Sequence, residues 1–145
     1  MDEYFRNIGA DLTLQDLQEH EGEWVTPRGV EYHGYTLYEL PPNGQGFAAL
    51  IMLNILKQID LRQFERGGPE IFHYLVEAKR LAFEAMAGTF ADPDFADMPI
   101  DELLSESFAK RLFDRIKTDS VIAPARLAVP LEICVYNTRS YNIHP

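Results

Sequence analysis

The sequence has little cysteine, no excess of basic residues and no long apolar run. Cys134 is the only cysteine among the 145 residues, which excludes an internal disulfide and most cysteine-based metal sites. Asp and Glu outnumber Lys and Arg by 23 to 13, a net charge of −10, so the chain should not attract phosphate groups. Its apolar segments are shorter than the roughly 18 residues that a membrane span needs. We therefore expect neither nucleic acid nor membrane among its partners.

The amino terminus also lacks the pattern of a secretory signal. Acidic residues follow Met1, where a signal peptide would carry basic residues and then an apolar stretch. This favours a cytoplasmic location, and the single cysteine is compatible with a reducing compartment. What is present is ordinary globular composition, with 46% hydrophobic and 25% charged residues, at a length that favours one domain.

Local patterns in the first third predict a short helix and a hairpin. Thr13 and Asp16 form a capping-box pattern, and the helix they begin should end near Gly22. Residues 30–32 and 35–40 have strand-like composition and flank a two-residue turn, His33-Gly34. Apolar and aromatic residues lie on both faces of the second strand, so we expect it to be covered on both sides.

Helices are predicted for most of the following residues. Residues 47–59 are apolar on nearly every side and predict a buried helix. A second helix begins with Pro69, and its apolar stripe is predicted to comprise Ile71, Leu75, Ala78 and Ala82. Residues 100–104 predict a helical turn, and Ser105 should cap a helix that runs to about residue 117.

One pair of polar residues in the second helix has a spacing that chemistry can use. His73 and Glu77 are four residues apart and within reach of each other. They could supply two metal ligands or an acid–base pair. A third ligand at comparable spacing is missing, and a metal site needs three or more. The alternative, which we favour, is a hydrogen bond on the helix surface or between helices.

Three further features carry alternative interpretations. The acidic residues of 92–102 could bind calcium, but the EF-hand order is absent and a solvated loop is the simpler interpretation; they are Asp92, Asp94, Asp97, Asp101 and Glu102. The turn at 41–46, PPNGQG, could cradle phosphate at a helix start, but it lacks the glycine and lysine spacing of known cradles, which favours a structural turn. Cys134 has no evident partner base and is interpreted as a small buried apolar residue.

Seven short motifs follow one another between residues 10 and 117. They are DLTLQDL (11–17), WVTP (24–27), YELPPNGQG (38–46), LNIL with DL (53–56 and 60–61), HYLVEAK (73–79), ADPDF (91–95) and LSESFAKR (104–111). In this order and spacing they resemble the γ-glutamyltransferase family. The motif at 41–46 is most similar to the bacterial γ-glutamyltransferase-like amidohydrolases.

The resemblance implies a fold and a reaction. Family members are N-terminal-nucleophile hydrolases with a four-layer αββα core, and the precursor cuts itself before a threonine. That threonine attacks a γ-glutamyl amide, for example in glutathione, with its own amine as base. The matched region corresponds to the end of the large subunit, so the partner implied is a small subunit that carries the catalytic threonine. We expect an α+β chain, a helix-rich part of that core with a short hairpin.

The resemblance transfers no site residue to this chain. The family's nucleophile is followed by His or Ser-His and then Val-Val-Asp, whereas Thr138 is followed by Arg139-Ser140-Tyr141. We therefore do not assign the nucleophile to Thr138. The arginine that binds the substrate carboxylate would lie before Met1. No catalytic, substrate-binding or metal-binding residue is assigned, and no cofactor is expected.

These observations lead to a division of the chain and to three hypotheses. Residues 1–118 are interpreted as a large-subunit segment, and residues 119–145 as a divergent tail of the kind that a frameshift, a premature stop or a misjoined gene end would each give. The first hypothesis is a fragment of an amidohydrolase that is inactive alone. The second is a non-catalytic assembly subunit that pairs with a separately encoded small subunit. The third is an independent acidic domain with a calcium site.

Overall fold

The computed structural model describes residues 2–87, 89–93 and 95–122. The chain is α+β, helix-rich with one hairpin, as the sequence predicts. The elements in chain order are α1 Asp2–Asn7, α2 Leu14–Glu19, β1 Arg28–Tyr32, β2 Tyr35–Glu39, α3 Phe47–Leu56, a 3-10 turn Leu61–Gln63, α4 Pro69–Ala87, α5 Ile100–Leu103 and α6 Glu106–Phe113. No helix within these ranges combines the length and the apolar character that crossing a membrane requires.

Helix α3 forms the centre of the core, which confirms its predicted burial. It packs against α4, α6 and β1, and Phe47, Leu50 and Ile51 have no exposed surface. The helix ends at Leu56, three residues before the predicted end. The amides of Gln58 and Ile59 bond carbonyls three residues back, which tightens the last turn and stops the α-helical ladder.

One polar side chain lies inside this core. Asn54 is 8% exposed, and its Nδ2 donates to the carbonyl oxygen of Leu104 at 2.8 Å. The bond joins α3 to the junction between α5 and α6. A buried amide that satisfies a backbone carbonyl in this way fixes the position of one element on another.

Helix α4 is the longest element and begins as predicted. Gly67 has a φ of 78°, which suits glycine, and Pro69 is the first helical residue. In the predicted apolar stripe, Ala78 and Ala82 are buried, whereas Ile71 and Leu75 are half-buried. The other buried residues of α4 are Tyr74, Glu77, Leu81 and Met86.

The hairpin forms at the predicted turn. His33 and Gly34 both have positive φ, 50° and 86°, as a type I′ turn requires. Glu31 accepts from the Gly34 amide at 2.7 Å and pairs with Lys57 at 3.1 Å, which ties the hairpin to the end of α3. The hydrogen bond from the Gly34 amide, and then the one from Lys57, hold the pKa of Glu31 below its usual value.

The prediction that the second strand is covered on both sides is wrong for the described residues. Tyr35 is 81% exposed and Tyr38 is 63% exposed. The sheet has only two strands in this part of the chain, and Val30 of β1 is its only buried residue. An apolar pattern on both faces indicates what a strand is suited to contact, and here no described element supplies that contact.

Helix caps explain where the shorter helices begin. The capping box of α2 is present: the Asp16 carboxylate accepts from the Thr13 amide at 2.7 Å, and Thr13 Oγ accepts from the Asp16 amide. This helix ends at Glu19 instead of Gly22 and buries no residue. Ser105 caps α6 as predicted, through the Phe108 amide at 3.2 Å.

Helix α6 is shorter than predicted. It ends at Phe113, not near residue 117, because the Arg115 and Ile116 amides bond carbonyls three residues back. The chain after α6 therefore leaves the helical path early. The predicted turn at 100–104 is α5, which ends at Leu103.

Candidate functional site

A concave feature in the described part of the chain is an open cleft of about 510 Å³. One wall is the start of α4 with Phe64, and the other wall is the segment 118–121. The lining residues are Phe64, Pro69, Glu70, His73, Tyr74, Thr118, Asp119, Ser120 and Val121. The segment after α6 therefore forms half of this feature.

Aromatic rings form the base of the cleft. Tyr74 stacks on Phe64, with 5.5 Å between ring centres, and on Phe113, with 6.2 Å between ring centres. Such offset contacts add to the burial of apolar area. The stack connects the loop before α4, α4 itself and the end of α6.

His73, at the edge of the cleft, binds the chain after α6. Its Nε2 donates to the carbonyl oxygen of Lys117 at 2.6 Å. A carbonyl only accepts, so Nε2 carries the proton in this arrangement. The ring also lies edge-on to Tyr74, with 5.8 Å between ring centres.

Glu77, one turn further along α4, is fully buried. One carboxylate oxygen accepts from Arg80 Nη1 at 3.0 Å, and the other accepts from the amide of Ile122 at 3.0 Å. Each oxygen of the buried carboxylate thus has a donor, which burial of a charge requires.

His73 and Glu77 do not act together as a metal or acid–base pair in this structure. Each binds its own backbone group on the segment 117–122, and no described bond joins the two side chains. No group of three or more His, Cys, Asp or Glu in the described ranges is arranged to hold a metal ion. The geometry supports the hydrogen-bond interpretation of the pair.

Two of the acidic residues of 92–102 pair with arginines. Asp101 pairs with Arg28 at 2.9 Å, and Glu102 with Arg111 at 3.5 Å. Asp94 lies outside the described residues. No three of the carboxylates that the structure describes form a group that could hold a metal ion, which gives the calcium hypothesis no geometric support.

The turn at 41–46 joins β2 to α3 directly. The Glu39 carboxylate lies where a Cβ on Gly46 would be, so a larger residue at this helix start would displace that side chain. A negative charge at that position disfavours a phosphate there, since like charges repel. The geometry supports the interpretation as a structural turn.

Two candidates from the sequence, Cys134 and Thr138, lie outside the described residues. The structural role of Glu77 was not predicted, because its partner Ile122 is 45 positions away. The available signal was a charged residue between Tyr74, Ala78 and Leu81 on the buried face of α4, where a carboxylate needs donors.

Comparison with known proteins identifies the class to which this fold belongs. The sequence model that represents the γ-glutamyltranspeptidase family matches residues 1–142 of this chain. The chain therefore belongs to the γ-glutamyltranspeptidase family. The match includes most of the segment 119–145; the boundary at residue 118 stays a prediction.

Individual relatives agree with this assignment. The chain is 40% identical to the glutathione hydrolase-like YwrD proenzyme of Bacillus subtilis over 85% of its own length and 23% of the proenzyme. It is similar to the γ-glutamyltranspeptidase structure of Helicobacter pylori, with a TM-score of 0.77, 27% identity, and coverage of 86% of this chain and 36% of that one. The cephalosporin acylase of Bacillus halodurans gives a TM-score of 0.70 at 33% identity, over 80% of this chain and 21% of the acylase.

The chain spans about a quarter of the length of the curated relatives that it matches. The described helices and hairpin thus represent one region of the family's fold.

Proposed function

We propose that this chain is a large-subunit segment of a γ-glutamyltranspeptidase-type amidohydrolase. The observation that carries the proposal is the family match over residues 1–142, together with the structural similarity to the H. pylori enzyme. The complete enzyme would hydrolyse or transfer a γ-glutamyl group, as in glutathione. An N-terminal threonine from a small subunit would attack the amide carbonyl, and water or an acceptor amine would then release the acyl group.

The coverage of the two solved structures supports a place within one subunit. A similar share of this chain matches 36% of the H. pylori chain but only 21% of the acylase chain. The H. pylori chain is thus the shorter of the two, as expected for one subunit of a processed enzyme.

The test is an activity assay on the purified chain with glutathione as substrate. We expect no release of glutamate above that of a mock purification from cells without the gene. Supplying the missing regions of the YwrD proenzyme as separate polypeptides should restore release if the parts assemble. Turnover by the chain alone, persisting through further purification, would overturn the proposal.

The alternative is a non-catalytic subunit that pairs with a separately encoded small subunit. The exposed hairpin favours an assembly role: Tyr35 and Tyr38 of β2 are mostly exposed, and Trp24 before it is fully exposed. Co-purification of a polypeptide that begins with threonine, without glutathione hydrolysis, would support this alternative. A monodisperse monomer in the presence of that polypeptide would count against it.

A further inference from the structure

The chain after α6 turns back onto α4 and is held there at three points. Arg115 pairs with Glu84 at 2.9 Å, the Lys117 carbonyl bonds His73 at 2.6 Å, and the Ile122 amide bonds Glu77 at 3.0 Å. All three α4 side chains are polar. The segment 115–122 is therefore attached to α4 by directed bonds, and its partly buried side chains Ile116 and Ile122 pack against the hydrophobic core.

These contacts differ in kind. Glu84 and Arg115 are an ion pair with side chains 32% and 40% exposed, where solvent weakens the attraction. The Glu77 side chain is only 1% exposed, and its carboxylate accepts a hydrogen bond from a backbone amide. A carboxylate buried to this degree loses much more when one of its donors is removed.

The bonds at Lys117 and Ile122 involve backbone atoms of the segment. Their formation therefore does not depend on which side chains the segment carries, provided that residue 122 has an N–H. Proline is the one residue that lacks it. The Glu77 carboxylate therefore binds the backbone amide of residue 122 whichever side chain that residue carries, proline excepted.

We infer that Glu77, with His73, is a positioning residue that fixes the point at which the chain leaves the helical core. The inference rests on the proposed function, in which this segment lies at the end of the large-subunit part of the core. A chain that is fixed at Ile122 leaves its next residues fewer positions than one that is fixed only at Phe113, since a longer flexible segment costs more entropy to place. The same anchor builds one wall of the cleft.

The test measures how easily trypsin cuts after Lys117, whose carbonyl His73 holds. Cleavage requires that this segment detach, because the protease binds an extended chain. The comparison is between Ile122→Pro and Ile122→Ala, which lose the same side chain but differ in the N–H. We expect Ile122→Pro to speed cleavage after Lys117 about tenfold over Ile122→Ala, as the loss of a bond to a charged group predicts.

Two substitutions on α4 complete the design. Glu77→Leu should act like Ile122→Pro, and the double variant should cleave no faster than either single one, because both remove the same bond. Glu84→Gln is the matched control and should change the rate less than about twofold. Cleavage after Arg66, in an exposed turn before α4, serves as the internal reference in every digest.

Equal rates for Ile122→Pro and Ile122→Ala would overturn the inference, as would wild-type cleavage after Lys117 that is as fast as cleavage after Arg66. Ile122→Pro leaves every α4 side chain in place, so the result does not depend on whether Glu77→Leu folds. The digest uses the chain alone and needs no activity. Failure of the anchor is therefore distinguishable from failure of the proposed function, which the glutathione assay tests.

Discussion

Replacing Asn54 by leucine should weaken the contact between α3 and the α5–α6 junction. Leucine has the same branching and number of side-chain heavy atoms as asparagine, with bulkier methyl groups, but it cannot donate to the Leu104 carbonyl, to which Asn54 bonds at 2.8 Å. The side chain is 8% exposed, so water does not readily replace the lost donor. The substitution thus removes one partner of a partly buried hydrogen bond and leaves the other partner in place.

The expected cost follows from that asymmetry. Leaving a buried carbonyl without its donor lowers the free energy of unfolding by about 1–3 kcal/mol, whereas an exposed carbonyl binds water instead and costs little. A chain of this size should show a fall in the thermal midpoint of about 3–5 °C for each kcal/mol. In urea, the midpoint should fall by about 1 M for a loss near 2 kcal/mol.

Urea unfolding followed by circular dichroism measures this change. Gln58→Leu is the control, since Gln58 is a half-buried amide one turn later whose longer bond, 3.5 Å to the Asn54 carbonyl, should contribute little. We expect the control to stay within about 0.5 kcal/mol of the wild type. An Asn54→Leu protein as stable as the wild type, or more stable, would show that this hydrogen bond does not stabilise the fold.

Three further predictions concern the core, one pKa and one cap. Leu50→Ala should lower the free energy of unfolding in urea by about 2–5 kcal/mol because Leu50 is fully buried, whereas Phe72→Ala, at a site 59% exposed, should cost less than about 1 kcal/mol; similar losses would contradict the described core. Hydrogen bonds from Arg62 lower the pKa of Asp60 to about 2. A carboxyl whose pKa is lowered on folding stabilises the fold above its unfolded-state pKa, and this stabilisation is lost as the pH falls through about 2. Arg62→Ala should therefore raise the pKa of Asp60 in an NMR titration, and an unchanged value would show that the bonds are absent in solution. Thr13→Ala should reduce helical NMR shifts in residues 14–19 without moving the thermal midpoint, since α2 buries nothing, and a lower midpoint would mean that α2 packs on the core.

Local rules were enough to locate the starts of several elements. Thr13 and Ser105 cap helices, Pro69 begins one, and His33-Gly34 forms the hairpin turn, because each depends on side chains within four residues. The ends were less predictable. At Leu56 and Phe113 the helix changes to bonds three residues apart, a shift that leaves no strong mark in composition.

Long-range features were beyond the sequence patterns. The exposure of Tyr38 depends on whether another element covers β2, and a strand's own residues do not specify this. The role of Glu77 depends on Ile122, which reaches α4 only after α6 has turned the chain back. The four-residue spacing placed His73 and Glu77 within reach of each other, as two ligands of one metal would be. In the folded chain each side chain instead binds a separate backbone group.

The most direct test of the family-segment account is the genomic DNA around and beyond codon 145, read in every frame. The account predicts a reading frame, shifted or adjacent, that encodes a threonine followed by His or Ser-His and then Val-Val-Asp, as the resemblance to the family implies. Such a frame would supply the nucleophile that this chain does not carry in the described residues. A neighbourhood with no such frame would contradict the proposed enzyme and leave a family-derived segment whose role is binding.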